Sequence, residues 1–125
     1  MASFIANQAS FAVLDAIAAA MAELARTPPV DILVGLPTLG LALAPLVARI
    51  LGHDRFVPLG YSRKFWYDDA LCEPITSITS PAPGKLIYLD PNQRVLLEGR
   101  RICIVDDAVS SGASLLAVQR LFARA

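Results

Sequence analysis

The sequence predicts an α/β domain: a mostly parallel, twisted sheet with helices on both faces, together with an antiparallel hairpin. An uninterrupted apolar run, Ile102–Val105, suits a parallel strand that is covered on both faces. A second β-rich run, residues 30–35, is followed by a loop and an apolar helix pattern. Residues 81–84 (PAPG) separate two alternating segments, which is typical of the turn in a hairpin.

The length and charge of the chain limit the classes of protein to consider. Its 125 residues suffice for one domain with its own core, so we expect a single domain over residues 1–125. Eleven basic and eleven acidic side chains give a formal net charge of zero. This balance gives no support for binding to nucleic acid or to a membrane surface, and we expect neither partner.

Cysteine content and the apolar segments bear on location. Two cysteines, Cys72 and Cys103, do not form a disulfide framework, and Cys103 reads as a small core residue, so a reducing cytoplasmic location is expected. The first ten residues lack the basic start of a signal peptide. Residues 32–48 carry no charge, but their glycines and prolines favour strand, loop and helix over a membrane span.

The first half of the chain predicts two helices and two core strands. Apolar residues at helical spacing predict a helix over residues 10–26, with Ser10 as its N-cap. A second helix is expected over residues 41–51, ended by Gly52. Because a proline in a helix interior costs about 3 kcal/mol, we expect Pro45 in the first turn of this helix. Residues 55–59 are predicted as the second core strand.

The second half begins with a segment, residues 60–74, that is polar and aromatic without periodicity and is therefore predicted to be a surface loop. Residues 75–80 and 85–89 alternate as two strands of the hairpin, and residues 90–92 form another turn. Gly99 is expected in a turn that leads into the strand Ile102–Val105.

The stretch RICIVDDAVSSGASL, residues 101–115, carries the strongest chemical signal. Asp106 and Asp107 stand where the buried strand ends, and ligands gather at the carboxyl ends of strands in open α/β sheets. Small and hydroxyl residues then lead into a helix, whose first N–H groups and dipole favour an anion. The acids alone also fit a solvated loop, and Ser-Ser-Gly alone also fits an N-cap.

This stretch resembles the phosphoribosyl-pyrophosphate signature of the type I phosphoribosyltransferases: four apolar residues, two acids, three variable residues, then hydroxyl, Gly, small, hydroxyl. Ala113 stands where a second Gly is common. The resemblance implies that Asp106 and Asp107 hold the ribose hydroxyls and Mg²⁺ and act in catalysis. It also implies that the loop that follows binds the 5′-phosphate of the substrate through Ser110, Ser111, Gly112, Ala113 and Ser114.

Two further segments are similar to that family. VGLPTLGLALA resembles its pyrophosphate loop, with Thr38, Leu39 and Gly40 at the binding positions. Leu39 replaces the basic or polar residue of many relatives, so contact there would be through the backbone. An Arg-Lys pair in the adenine-type enzymes resembles Arg63 and Lys64, which implies pyrophosphate binding by both and a catalytic role for Lys64.

The resemblance implies a reaction in which a nitrogenous base, preferably a purine, displaces pyrophosphate from phosphoribosyl pyrophosphate. It implies a cytoplasmic homo-oligomer, a dimer, and it does not reach the later strands of the family, so we expect the domain to be incomplete at its C-terminus. Two alternatives remain open, a regulatory module that binds phosphoribosyl pyrophosphate and an inactive truncated core. Phe65, Trp66 and Tyr67 fit either a hydrophobic lid or a surface that packs on a partner.

Overall fold

The computed structural model describes residues 10–37, 40–74, 86–106 and 113–124. The elements follow one another along the chain as α1 (Phe11–Ala25), β1 (Ile32–Gly35), α2 (Gly40–Ile50), β2 (Val57–Pro58), β3 (Cys72–Pro74), β4 (Leu86–Tyr88), a 3₁₀ helix (Pro91–Leu96), β5 (Ile102–Val105) and α3 (Ala113–Arg124).

The three core strands form a parallel sheet in the order β2-β1-β5. β1 lies in the middle and all four of its residues are buried. It pairs with β5 over its whole length, from Ile32 opposite Ile102 to Gly35 opposite Val105. The predicted strand at Ile102–Val105 is confirmed at both ends, and the predicted strand over residues 55–59 is confirmed in the shorter form Val57–Pro58.

Helices cover both faces of this sheet, as predicted. Leu33 and Val105 point to the face on which α1 and α2 pack, while Ile32 and Val34 point to the opposite face, against α3. This alternation follows from the two-residue period of a strand. Cys103 packs on the α1–α2 face and burial raises the pKa of its thiol, which agrees with a core role.

Helix α1 confirms the predicted start, because the Ser10 hydroxyl accepts a hydrogen bond from the Val13 backbone N–H at 3.2 Å. Helix α2 differs from the prediction. It begins at Gly40, so Pro45 lies in its second turn and not in its first. The proline removes one N–H from the helix ladder, and the burial of α2 against β1 and α1 offsets that loss.

The C-terminus of α2 ends as predicted, at Gly52, whose φ is +84°. Its N–H donates to the Arg49 carbonyl and the N–H of His53 donates to that of Ala48, at 3.1 and 2.9 Å. These two bonds form a Schellman motif, in which glycine takes up the left-handed conformation without steric cost.

The hairpin is present, but its first strand begins earlier than predicted. β3 pairs antiparallel with β4, so that Cys72 faces Tyr88 and Pro74 faces Leu86. Residues 72–74 were expected to belong to the surface loop, and that assignment is wrong. The strand predicted over residues 75–80 lies outside the described residues. The segment after β4 is a 3₁₀ helix capped by Asp90, and Gly99 follows it with φ +66°.

One charged residue joins the hairpin to the helices. Glu73, on β3, is buried, and its Oε1 accepts a hydrogen bond from the Arg120 Nε of α3 at 2.7 Å. This pair connects the hairpin to α3, the helix that follows β5 in the chain.

No helix within the described parts of the chain is long and apolar enough to cross a membrane.

Candidate functional site at the carboxyl ends of the core strands

The connections that leave β1 and β5 diverge to opposite faces of the sheet. β1 leads into α2 on one face, and β5 leads towards α3 on the other. Since the two strands are parallel neighbours, a crevice opens between their carboxyl ends. Such a point of divergence is where open α/β sheets bind ligands. This edge of the sheet is also where the sequence predicts the site, and it is therefore the candidate site described below.

The two loops meet backbone to backbone at this crevice. The Leu36 N–H donates to the Val105 carbonyl at 3.0 Å. At Gly40, a Cβ atom would stand 2.6 Å from the Val105 carbonyl oxygen and 3.1 Å from the Asp106 Cα. No side chain fits between these backbones without moving one of them. Gly40 thus allows the N-terminus of α2 to approach the acidic end of β5.

Asp106 is half-buried at this edge. Of the residues predicted to form the site, the structure brings Asp106 and Gly40 together. Ala113 and Ser114 are the first two residues of α3, so their backbone is helical. The other predicted members of the two loops lie outside the described residues: Thr38, Leu39, Asp107, Ser110, Ser111 and Gly112.

Sequence reasoning missed Tyr61, which the structure places at the same crevice. Its hydroxyl donates a hydrogen bond to the Pro37 carbonyl at 3.1 Å. Burial and the nearby charge of Asp106 together raise the pKa of this phenol above its usual value. In the sequence, Tyr61 was recognisable only as a tyrosine shortly after a core strand, in a stretch that also contains phenylalanine and tryptophan.

Arg63 and Lys64, predicted to bind pyrophosphate, lie on the exposed turn that follows Tyr61. The Arg63 Nε donates to the Asp69 carboxylate at 2.8 Å, so the guanidinium is engaged within its own loop. An exposed ion pair of this kind is worth about 0–1 kcal/mol, and a phosphate would displace it at little cost. The Lys64 ammonium forms no ion pair with any residue in the described ranges.

The aromatic side chains that follow form a ladder. The rings of Phe65 and Trp66 meet edge to face with centroids 5.0 Å apart, and Trp66 meets Tyr67 in the same way at 5.6 Å. Tyr67 in turn contacts Tyr88 of β4 at 5.9 Å. The Trp66 indole N–H donates to the Asp90 carboxylate at 3.2 Å. The contacts with Tyr88 and Asp90 hold this loop against the hairpin and the residue that follows it. The Phe65 side chain is 91% exposed.

The site was predicted to hold Mg²⁺ through Asp106 and Asp107, and the donor chemistry of Asp106 fits that ion. A carboxylate whose charge acts within the crevice is the ligand type that Mg²⁺ prefers. The described residues contain no group of three or more candidate metal ligands. Mg²⁺ commonly takes one or two carboxylates and completes its shell with water and substrate phosphates, and a Mg²⁺ site at Asp106 and Asp107 stays a prediction.

Comparison with solved structures supports this reading of the fold. Adenine phosphoribosyltransferase from Rhodothermus marinus matches with a TM-score of 0.70 and 24% identity, over 92% of this chain and 61% of that one. A second adenine phosphoribosyltransferase matches with a TM-score of 0.60 and 27% identity, over 87% and 58%. Purine phosphoribosyltransferase from Pyrococcus horikoshii matches with a TM-score of 0.55 and 21% identity, over 92% and 66%.

The chain therefore spans about three fifths of the length of the first two structures, at 61% and 58%. A comparison with curated protein sequences found no significant match. The phosphoribosyl transferase domain family, in contrast, matches residues 6–125, which is nearly the whole chain. With the predicted fold present and the signature strand ending at the crevice, the chain belongs to the phosphoribosyl transferase domain family.

Proposed function

We propose that this protein binds phosphoribosyl pyrophosphate and transfers its phosphoribosyl group to a nitrogenous base, with release of pyrophosphate. One observation carries the proposal: the loops after β1 and β5 meet at Gly40 and Asp106, beside the crevice between two parallel strands. A substrate with phosphate groups at both ends of a ribose would span both loops. Its ribose hydroxyls would then lie beside the acids.

The chemistry requires two kinds of charge stabilisation. As the bond between the anomeric carbon and pyrophosphate breaks, the ribose passes through an oxocarbenium-like state, while negative charge gathers on the leaving oxygens. The base nitrogen forms the new bond to that carbon, and the proton that it loses passes to the released pyrophosphate. Asp106 and Asp107 would hold the ribose hydroxyls and favour positive charge on the ring. Mg²⁺, when bound there, would neutralise charge on the pyrophosphate.

The remaining predicted residues would bind the two phosphate ends. Backbone N–H groups at the start of α3 suit the 5′-phosphate, in the loop that contains Ser110, Ser111, Gly112, Ala113 and Ser114. Backbone N–H groups at Thr38, Leu39 and Gly40 suit the pyrophosphate. Arg63 would leave Asp69 to join Lys64 beside the leaving group, because the exposed pair it now forms is weak.

A purine is the proposed acceptor. The solved structures that share this fold include adenine and purine phosphoribosyltransferases. The Arg63–Lys64 pair, which resembles that of the adenine-type enzymes, supports the same choice over orotate.

Binding and turnover can be tested separately. Calorimetry with phosphoribosyl pyrophosphate should give Mg²⁺-dependent binding to the wild type, and this dependence should vanish in the double variant Asp106→Asn, Asp107→Asn. The variant should keep the circular dichroism spectrum of the wild type. Binding with unchanged Mg²⁺ dependence in the variant would show that the acids form only a solvated loop. Release of pyrophosphate should then be measured with adenine, hypoxanthine, guanine and orotate.

A second candidate function is a regulatory module that binds phosphoribosyl pyrophosphate without turning it over. It requires only the binding residues at the ends of β1 and β5, where Gly40 and Asp106 approach each other, and no acceptor base. The same pair of measurements distinguishes the two. Tight binding with no release of pyrophosphate for any of the four bases would contradict the transferase proposal. That result would support both non-catalytic alternatives, the regulatory module and the inactive core.

A further inference from the structure

We infer that Tyr61 is a positioning residue that holds the loop after β1 against the acidic end of β5, and so tunes the affinity of this site for pyrophosphate. The inference rests on the proposed function for its ligand. It concerns a residue to which neither the sequence motifs nor the family resemblance assigns a role.

The first observation is the hydrogen bond between two segments that are 24 residues apart. The Tyr61 hydroxyl donates to the carbonyl of Pro37 at 3.1 Å. Pro37 immediately precedes Thr38 and Leu39, the residues predicted to offer backbone N–H groups to pyrophosphate. A proline has no N–H of its own, so its carbonyl is the only backbone hydrogen-bonding group through which this position can be held.

The second observation is how Tyr61 itself is held. Its side chain packs against the core cluster that contains Val57, Leu59 and Leu121. The Leu59 N–H, two residues earlier, donates to the Gly35 carbonyl at 3.0 Å. The ring is therefore fixed by burial at one end and presents its hydroxyl at the other, which is how tyrosine commonly acts at the edge of a core.

The third observation connects Tyr61 to the acids. Burial, together with the charge of Asp106, raises the pKa of this phenol, so the hydroxyl stays protonated and remains a donor at physiological pH. Tyr61 thus bonds directly to the backbone that leaves β1 and interacts with the charge of Asp106 at the end of β5.

The Tyr61 hydroxyl can be removed without disturbing the other contacts between these strand ends. The backbone bonds from Leu59 to Gly35 and from Leu36 to Val105 hold the strand ends together. The hydroxyl adds a bond beyond them, at the start of the loop. Its removal should leave the sheet intact and loosen only the backbone at Pro37, which leads into the residues predicted to bind pyrophosphate.

The variant Tyr61→Phe tests this, because it keeps the packed ring. Tyr88→Phe is the matched control, since Tyr88 on β4 is also a buried tyrosine but its hydroxyl bonds to no residue in the described ranges. Loss of one neutral hydrogen bond, about 0.5–1.5 kcal/mol, corresponds to roughly two- to tenfold in affinity. We expect calorimetry on Tyr61→Phe to show that loss for inorganic pyrophosphate and for phosphoribosyl pyrophosphate. Ribose 5-phosphate, which lacks the pyrophosphate, should bind as tightly as to the wild type.

Equal losses for all three ligands, or no loss for any, would overturn the inference. A readout without ligand separates it from the proposed function. The Leu36 amide, which bonds to Val105 beside Pro37, should exchange its hydrogen faster in Tyr61→Phe than in the wild type or in Tyr88→Phe. If the wild type binds none of the ligands, the proposed function fails. The exchange rates then decide the role of Tyr61, and equal rates in all three proteins would overturn it.

Discussion

Gly40 shows how a single atom decides the geometry of the candidate site. Any side chain at this position would start 2.6 Å from the Val105 carbonyl oxygen, which belongs to backbone and cannot rotate away. The approach of α2 to the end of β5 therefore depends on the missing Cβ. The positive end of the α2 dipole comes close to Asp106 only because of that approach.

We predict that Gly40→Ala destabilises the protein by about 1–3 kcal/mol, the usual cost of forcing an extra methyl into a packed position. It should also weaken the binding of phosphoribosyl pyrophosphate. Gly60→Ala is the control, since a Cβ there meets nothing within 4 Å. Urea denaturation of both variants would measure the difference. A Gly40→Ala protein as stable as Gly60→Ala would mean that the two loops separate without cost.

Among the secondary-structure elements, the pairing of β1 with β5 is stabilised at its N-terminal end by Asp31. The Asp31 carboxylate accepts a hydrogen bond from the Arg101 backbone N–H at 2.8 Å, and the Asp31 N–H donates to the Arg101 carbonyl at 2.8 Å. The backbone bond from Arg101, followed by the charges of Arg101 and Arg100, lowers the pKa of this carboxyl. The register of the central strand pair is thus supported by an ionised group.

A folded-state pKa below the unfolded value stabilises the protein above the unfolded value, near 3.8, and the stabilisation disappears as the pH falls through the folded value. We therefore predict that Asp31→Asn is less stable than the wild type at pH 7. The difference should shrink as the pH falls below about 3.8. Asp15→Asn, at an exposed position of α1 with no ion pair among the described residues, is the control. A pH-independent difference would show that the Asp31 charge has no part in it.

The contact between the hairpin and α3 includes the ion pair of Glu73 with Arg120. Its side chain is 9% exposed and that of Arg120 is 57% exposed, so one partner is buried and the other is half in solvent. Leaving the carboxylate buried without its cation costs more than losing an exposed pair. The Glu73–Arg120 pair therefore fixes the position of β3 relative to α3, the helix whose N-terminus is predicted to bind phosphate.

We predict that Arg120→Gln lowers the free energy of unfolding by about 1–3 kcal/mol, since a charged hydrogen bond is lost at a buried carboxylate. Adding Glu73→Gln should restore part of this loss, because the buried charge is then gone. Glu98→Gln removes a long, exposed pair with Arg94 at 3.7 Å and should change stability by less than about 1 kcal/mol. Strictly additive effects of the Glu73 and Arg120 variants would show that the two do not interact.

At the scale of the whole molecule, apolar side chains remain on the surface. Phe11 and Leu24, at the two ends of α1, are exposed, as are Phe65 and Leu116. Formal net charge is zero, which removes the repulsion that would keep copies apart. Exposed apolar surface and neutrality together favour association between copies.

We predict that the 125-residue chain self-associates at micromolar concentration. The double variant Phe11→Ser, Leu24→Ser should shift it towards the monomer, whereas Val95→Ser, a lone exposed residue after β4, should not. Analytical ultracentrifugation would measure the distribution. A wild type that stays monomeric throughout that range would refute the expected homo-oligomer.

The sequence alone determined the elements whose signals are local. The bounds of the strand Ile102–Val105 were predicted because four consecutive apolar residues followed by two acids mark its extent. Its burial was overestimated, since only Val105 is fully buried and the three residues before it are half-buried. The start of α1 followed from Ser10, whose hydroxyl caps the helix within three residues. The short stretch around Ile102–Val105 also placed Asp106 at the carboxyl end of that strand, because the acid directly follows the last apolar residue.

Tertiary structure decided what depends on residues far apart in the chain. β3 was missed because its pairing with β4 and the burial of Glu73 against Arg120 are long-range contacts that leave no periodicity in three residues. Pro45 was misplaced because packing of α2 outweighed one lost helix hydrogen bond. Tyr61 carried no motif. Its role follows from a hydrogen bond across 24 residues and from the charge of Asp106, and these arise only when three strand ends meet.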